Sequence, residues 1–158
     1  MVRVRKRYAI CEVTYNVGMQ FRYGITKILM SNVLLNEIKE EHGEVGYARL
    51  KPNLSCVYCN QATKVFIMFY DREHANIVET SIANVKQLGK DCQVKCKLLH
   101  CSHTAKQAHK FIAKYQRDNL LKERKNSRNI EERKLIMQKV REMNATLMTI
   151  AQRGFDFD

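Results

Sequence analysis

An α+β sandwich with the order β-α-β-β-α-β, extended by two C-terminal helices, is the architecture this sequence predicts. Three observations carry it. Strand-like runs, alternating or continuously apolar, occur at four places. Helical periodicity fills the first and third intervals between them, and two long helical patterns follow the last run. That order is the split βαβ signature of a ferredoxin-like sandwich, whose first and third strands are central. The two most strand-like segments of this chain are also its first and third.

The first strand lies in Met1 to Tyr15, where alternation sets Ala9, Cys11 and Val13 against Tyr8, Ile10 and Thr14. Few charges fall on either side, so both faces are expected to be covered, with Tyr8 and Ile10 in a core. Asn16 to Tyr23 reads as a loop. Gly24 to His42 reads as a helix with Ile25, Ile28, Leu29, Val33, Leu34 and Ile38 on its apolar face, stopped by Gly43. Val45 to Val57 is expected to be a strand, and Pro52 inside it marks an edge or a bulge. Tyr58 to Thr63 reads as a turn, and Lys64 to Tyr70 (KVFIMFY) as a buried central strand. Asp71 is placed as the N-cap of a helix over Arg72 to Leu88, ended by Gly89. Cys92 to Ser102 alternates Val94, Cys96 and Leu98 with Lys95, Lys97 and Leu99, a fourth strand.

Two helices remain, Thr104 to Lys125 and Arg128 to Arg153, separated at Asn126-Ser127. On a wheel at about 100° per residue with Lys106 at zero, Ala105, Ala108, Phe111, Ile112 and Tyr115 fall between about 140° and 260°. Lys106, Lys110, Lys114, Arg117 and Arg124 fall between about 0° and 80°. This helix has an apolar back and a cationic front. The last helix carries Ile136, Val140, Met143, Leu147 and Ile150 near heptad spacing. A ferredoxin-like sheet leaves one face bare, and these helices are expected to cover it. The expected organisation is one domain over residues 1–153 with a loose tail over residues 154–158, consistent with a length of 158 residues.

The formal net charge of +12 is the strongest bulk signal. Such an excess repels itself in the folded state and is relieved by a polyanion through counterion release. A membrane surface would call for a basic amphipathic segment with large apolar or Trp anchors, and the chain has no Trp. No stretch approaches the ~18 apolar residues of a membrane span, and the basic N-terminus lacks the apolar core of a secretory signal. The expected setting is intracellular and the expected partner is nucleic acid. Two elements would carry the contact: Arg3, Arg5, Lys6 and Arg7 at the head of the first strand, and Lys106, Lys110, Lys114 and Arg117 on the cationic helix face. The stripe has few balancing acids, Asp118 and Glu123 coming only at its end. The RNA-recognition-motif signature is absent from the third strand, so stacking of bases on the sheet is unsupported and contact is expected at its margins.

Two other constellations have simpler readings. Cys56-x-x-Cys59 with Cys92, Cys96, His100, Cys101 and His103 could be assembled into a zinc site. The second half of that set alternates along a strand, however, and buried thiols acting as small hydrophobes account for it. Asp71, Glu73 and His74 could belong to a metal-dependent nuclease, but they suit a helix N-terminus, where acids are favoured. No catalytic or metal-binding residue is therefore assigned.

The opening M-V-R-x-R-x-R-Y-x-x-C-E, His42-Gly43, the K-F-I-x-x-Y of Lys110 to Tyr115 followed by Arg117 and Leu120-Leu121, and Glu132-Arg133 with Lys139-Val140 together resemble one family. It is the processing-of-precursors subunit five family, the small protein subunit shared by ribonuclease P and ribonuclease MRP. The resemblance spans Met1 to about Val140 in order and is weakest over 16–23 and 84–92. It implies a ferredoxin-like sandwich with added helices and no catalysis by the chain itself. It also implies a stabilising role around a catalytic RNA that positions its own Mg²⁺, so no cofactor is held by this chain. Implied partners are that RNA, the TIM-barrel-like protein subunit of the particle and a second small ferredoxin-like subunit. Precursor tRNA would be met indirectly, through 5′ maturation, and precursor rRNA in the MRP form. The implied location is the nucleus and nucleolus. A free-standing module for structured RNA is the alternative.

Overall fold

The computed structural model describes residues 5–15, 24–61, 63–89 and 92–153, with the side chains of residues 143 and 146–153 excepted. Arg3, the loop read over 16–23, the tail over 154–158 and the heptad positions Met143, Leu147 and Ile150 lie outside what is described. The chain divides into two compact units, Met1–Thr104 and Ala105–Asp158.

The first unit is a five-stranded antiparallel sheet in the order β2-β3-β1-β5-β4, flanked by two helices. Strand β1 (Lys6–Tyr15) stands at its centre, paired with β3 (Val65–Asp71) on one side and β5 (Cys92–Ser102) on the other. Tyr8 through Cys11 and Val13 are all buried in this strand, which has a neighbour on each edge. A bulge between Ile10 and Cys11 shifts the β5 register, and the alternation along β5 leaves Gln93, Lys95 and Lys97 exposed between buried Cys92, Val94 and Cys96.

Helices α1 (Lys27–Leu50) and α2 (Ala75–Asn84) share one core with the sheet: Met30, Leu34, Ile38, Val78 and Ile82 meet Cys11, Val13, Phe66, Met68 and Tyr70. Thr26 caps α1 by accepting from the Leu29 N–H at 3.2 Å, so the helix begins three residues later than expected. The two helices are clamped by Glu41, which accepts from Ser81 Oγ at 2.8 Å and from Asn84 Nδ2. Both hydrogen bonds favour the charged form and hold its carboxyl below the usual range.

Several other boundaries differ from the sequence reading. Gly43 does break α1, with φ +70° and ψ −172°, but the chain then resumes helix to Leu50 instead of entering a strand. Strand β2 is only Ser55–Asn60, and Pro52 sits in the turn before it. Leu50 and half-buried Tyr47 add to the core from that second helical segment, and a short apolar stretch reads equally as helix or strand. Of the turn expected over Tyr58 to Thr63, Tyr58–Asn60 is instead the end of β2, which bulges between Cys56 and Tyr58 and lies at the sheet edge, while Gln61 and Thr63 do lie in a turn. Finally, Arg72–His74 is a 3₁₀ turn, α2 ends at Asn84, and Gln87–Leu88 forms a short strand β4. Strand β4 pairs with β5 through a turn at Gly89, φ +73°.

The second unit contains helices α3 (Ala105–Asn126) and α4 (Ile130–Arg153), which pack against each other. Along α3, Ala108 and Ile112 are buried, and Phe111 stacks on Tyr115 with ring centroids 6.0 Å apart. The connection is closed by the chain itself. Ser127 N–H donates to Glu123 O at 2.9 Å, and Asn129 Oδ1 caps α4 by accepting from Glu131 N–H at 3.1 Å. On α4, Val140 is buried and Ile136 half-buried.

Candidate nucleic-acid interface

The two cationic elements differ sharply in how much charge they present. Arg5 is exposed, and its backbone carbonyl accepts from Arg72 N–H at 2.8 Å. Lys6 ion-pairs with Asp71, its cross-strand partner in the β1–β3 register, and lies 5.2 Å from the Phe69 ring centroid. Asp71 therefore answers a lysine from the buried end of β3 and makes no side-chain cap, which corrects its assignment as an N-cap. Arg7 Nη1 is 3.6 Å from Glu79 Oε1. That same oxygen accepts from Tyr70 Oη at 3.0 Å and from Cys101 Sγ at 3.5 Å. Burial, together with the carboxylate, pushes the Tyr70 hydroxyl far above its ordinary range, so it serves Glu79 as a fixed donor. Arg7 and Lys6 thus tie β1 to α2 and β3 while staying partly exposed, and Arg5 at the head of the strand is exposed.

The stripe on α3 is different. Lys106, Lys110, Lys114 and Arg117 are all exposed. Among the described residues no carboxylate lies within ion-pairing distance of Lys106, Lys110 or Lys114, while Arg117 Nε is 3.7 Å from Asp118 Oδ1. Spaced i, i+4, i+8, the three lysines form a ridge with about 6 Å between neighbours along the axis. Ridges of this kind, with charge uncompensated and fully hydrated, are what a phosphate backbone exchanges its counterions for.

The cysteines serve the core. Burial pushes the Cys56 and Cys96 thiols up to about 12 and holds Cys11 well above its ordinary value. Cys56 Sγ donates to Tyr58 O at 3.2 Å and Cys59 Sγ to Ile25 O at 3.4 Å. Among the described residues, no three His, Cys, Asp or Glu side chains are placed to share a metal ion. Nor do Asp71, Glu73 and His74 converge: Asp71 is turned to Lys6, and Glu73 is exposed.

Residues 7–113 match the model of the Rpp14/Pop5 family. The chain belongs to that family. Among its relatives, ribonuclease P/MRP protein subunit POP5 of Homo sapiens is 25% identical over 143 residues, covering 89% of this chain and 87% of the human one. The probable ribonuclease P/MRP protein subunit POP5 of Dictyostelium discoideum is 28% identical over 82 residues, 52% of this chain and 47% of that protein. In the cryo-EM structure of yeast ribonuclease MRP, one chain superposes with a TM-score of 0.54 at 13% identity, covering 66% of this chain and 78% of that one. At that identity the likeness speaks for the fold, and it agrees with the ferredoxin-like sandwich of the first unit.

One set of cations lies outside the α3 wheel. Arg133, Lys134 and Arg141 of α4 line, with Arg124 of α3, a groove of about 440 Å³ beside the helix connection. Its signal is present in the sequence: Arg133 and Arg141 are eight residues apart, the same i, i+8 relation that marks the α3 stripe.

Proposed function

We propose that this chain is a non-catalytic protein subunit of ribonuclease P and ribonuclease MRP. Its task is to stabilise the catalytic RNA core for 5′ maturation of precursor tRNA and, in the MRP form, for processing of precursor rRNA. The observation that carries the reading is the exposed Lys106, Lys110 and Lys114 ridge, unpaired to carboxylates among the described residues, on a member of the Rpp14/Pop5 family. The names of the human and Dictyostelium relatives support it. A folded RNA core repels itself, and a protein ridge of this kind lowers the Mg²⁺ needed to hold it together. Catalysis stays with the RNA and its metal ions. The protein partners are the TIM-barrel-like subunit and a second small ferredoxin-like subunit, and the particle works in the nucleus and nucleolus.

The test is the RNA that co-purifies with a tagged copy from its own cells. An RNA of the ribonuclease P or MRP type, with several small basic proteins, is the expected result. An unrelated RNA would instead make this a free-standing RNA-binding module. RNA-free protein incubated with precursor tRNA and Mg²⁺ should release no 5′ leader, and cleavage there would remove the non-catalytic assignment.

A further inference from the structure

The α3–α4 connection holds a second cationic feature, distinct from the lysine ridge and lying beyond residues 7–113, the part that the family model matches. Arg124, Arg133, Lys134 and Arg141 are all exposed and converge on the groove of about 440 Å³, and among the described residues no carboxylate lines it. Two of the four are held in place by neutral acceptors. Arg124 Nη1 donates to Met137 Sδ at 3.4 Å, and Arg133 Nε donates to Ser127 O at 3.0 Å. A thioether and a carbonyl orient a guanidinium without cancelling its charge. Pre-oriented, unneutralised guanidinium forks suit a phosphate oxygen pair, because the donors need no further ordering to bind it.

We propose that this groove grips the sugar–phosphate backbone of RNA, as a second contact site on the chain. The inference rests on the chain being an RNA-binding subunit as read above. Arg133 and Arg141 stand about 12 Å apart along α4, and Lys134 and Arg141 about 10.5 Å, so the cations extend beyond the reach of a single phosphate. Gln138 adds an amide to the same groove. Its Nε2 donates to Glu142 Oε1 at 3.0 Å, which leaves its amide oxygen as an acceptor beside the guanidinium groups. A ribose 2′-hydroxyl can donate to that oxygen while the phosphate next to it meets the guanidinium groups, and deoxyribose cannot. Ile130 and Met137 supply apolar surface in the same groove for the sugar face.

The experiment uses the full chain with a structured transcript of a ribonuclease P RNA, measured from 50 to 200 mM salt, and compares Lys134→Gln/Arg141→Gln with the unaltered protein. Both positions are exposed, and a thermal melt of the variant should overlay the parent. The slope of log K against log salt is expected to become shallower by about 1.5 for the two lost phosphate contacts. Arg133→Lys, which keeps the charge and loses the fork, should retain the slope and lose affinity. A Gln138→Leu variant should bind the RNA less well while leaving a DNA of the same sequence unaffected. If the parent binds with its steep slope and the double variant matches it, the groove is not an RNA site, and the lysine ridge reading stands. Loss of binding to a polyglutamate peptide with RNA binding unchanged would likewise overturn the proposal, in favour of an acidic protein partner. No RNA binding by the parent chain at all would instead remove the functional reading on which the groove rests.

Discussion

Neutralising the α3 ridge is the most direct perturbation of the interface. Lys106→Gln/Lys110→Gln/Lys114→Gln removes three cations that are exposed, and among the described residues none of them is paired to a carboxylate. The fold should be indifferent, since surface substitutions away from packed or bonded groups usually stay within about 0.5 kcal/mol. Each phosphate contact contributes about 0.7–0.9 to the slope of log K against log salt, so the triple variant should be shallower by about 2.1–2.7. Over a fourfold change in salt, that difference amounts to roughly thirty-fold more loss of affinity in the parent than in the variant. Filter binding or anisotropy with a structured RNA, at five or six salt concentrations, measures it. Replacing the same three residues by Glu should abolish affinity with the melt unchanged. A slope equal to that of the parent would refute the assignment of this face to RNA. Arg117, with Asp118 beside it at 3.7 Å, should contribute less than any one of the three lysines.

Gly43→Ala should destabilise the first unit by about 1–3 kcal/mol, read as a lower urea midpoint at unchanged slope, because its φ of +70° with ψ of −172° belongs to glycine. Apart from the local backbone and chain neighbours, the added methyl meets nothing within 4 Å among the described residues, so the cost is backbone strain, and a midpoint shift near zero would contradict the kink. Alkylation with iodoacetamide at pH 8.5, mapped by mass, should leave Cys11, Cys56 and Cys96 unmodified in the native protein. In urea all six thiols should react, and rapid native labelling of Cys96 would contradict its burial. Burial lowers the pKa of His109, so the unfolded chain binds the extra proton first and stability falls as pH drops from the ordinary histidine value near 6.5. His109→Gln should flatten that part of the stability–pH curve, and an unchanged curve would show that His109 is not its source.

Much of this is legible in the sequence wherever a segment's own periodicity decides its surroundings. Strand β3 is readable from a continuous apolar run and β5 from strict alternation, and the α3 wheel separates buried Ala108 and Ile112 from the exposed lysines. Two kinds of fact are not. Gly43 announces a break in the helix but leaves open the conformation on its far side, because Glu44 to Leu50 is short enough for tertiary contacts to choose helix over strand. The pairing of Lys6 with Asp71 and of Arg7 with Glu79 joins residues more than sixty apart in sequence. Two of the four cations at the head of the first strand thereby meet carboxylates from distant elements, a pairing that local sequence does not announce. Strand β4 merges with the preceding helix in the sequence because Ile82 and Val85 keep the helical period past Asn84, where the backbone has already turned.

The central position of β1 also bears on the order in which the chain can assemble. Of these elements β1 leaves the ribosome first, yet its second neighbour, β5, ends at Ser102, close to ninety residues after Tyr15. At ~5–20 residues per second, that delay is roughly 5–18 s, during which an apolar strand has at least one open edge. The strand pairings that finally close the sheet are non-local, the kind that slows folding. Lys6 and Arg7, which end as internal ion-pair partners, would in that interval be unpaired charges flanking an aggregation-prone run, the position gatekeeper residues occupy. The same two side chains, which meet carboxylates in the folded sheet, are thus suited to keep the nascent strand soluble until its partners arrive.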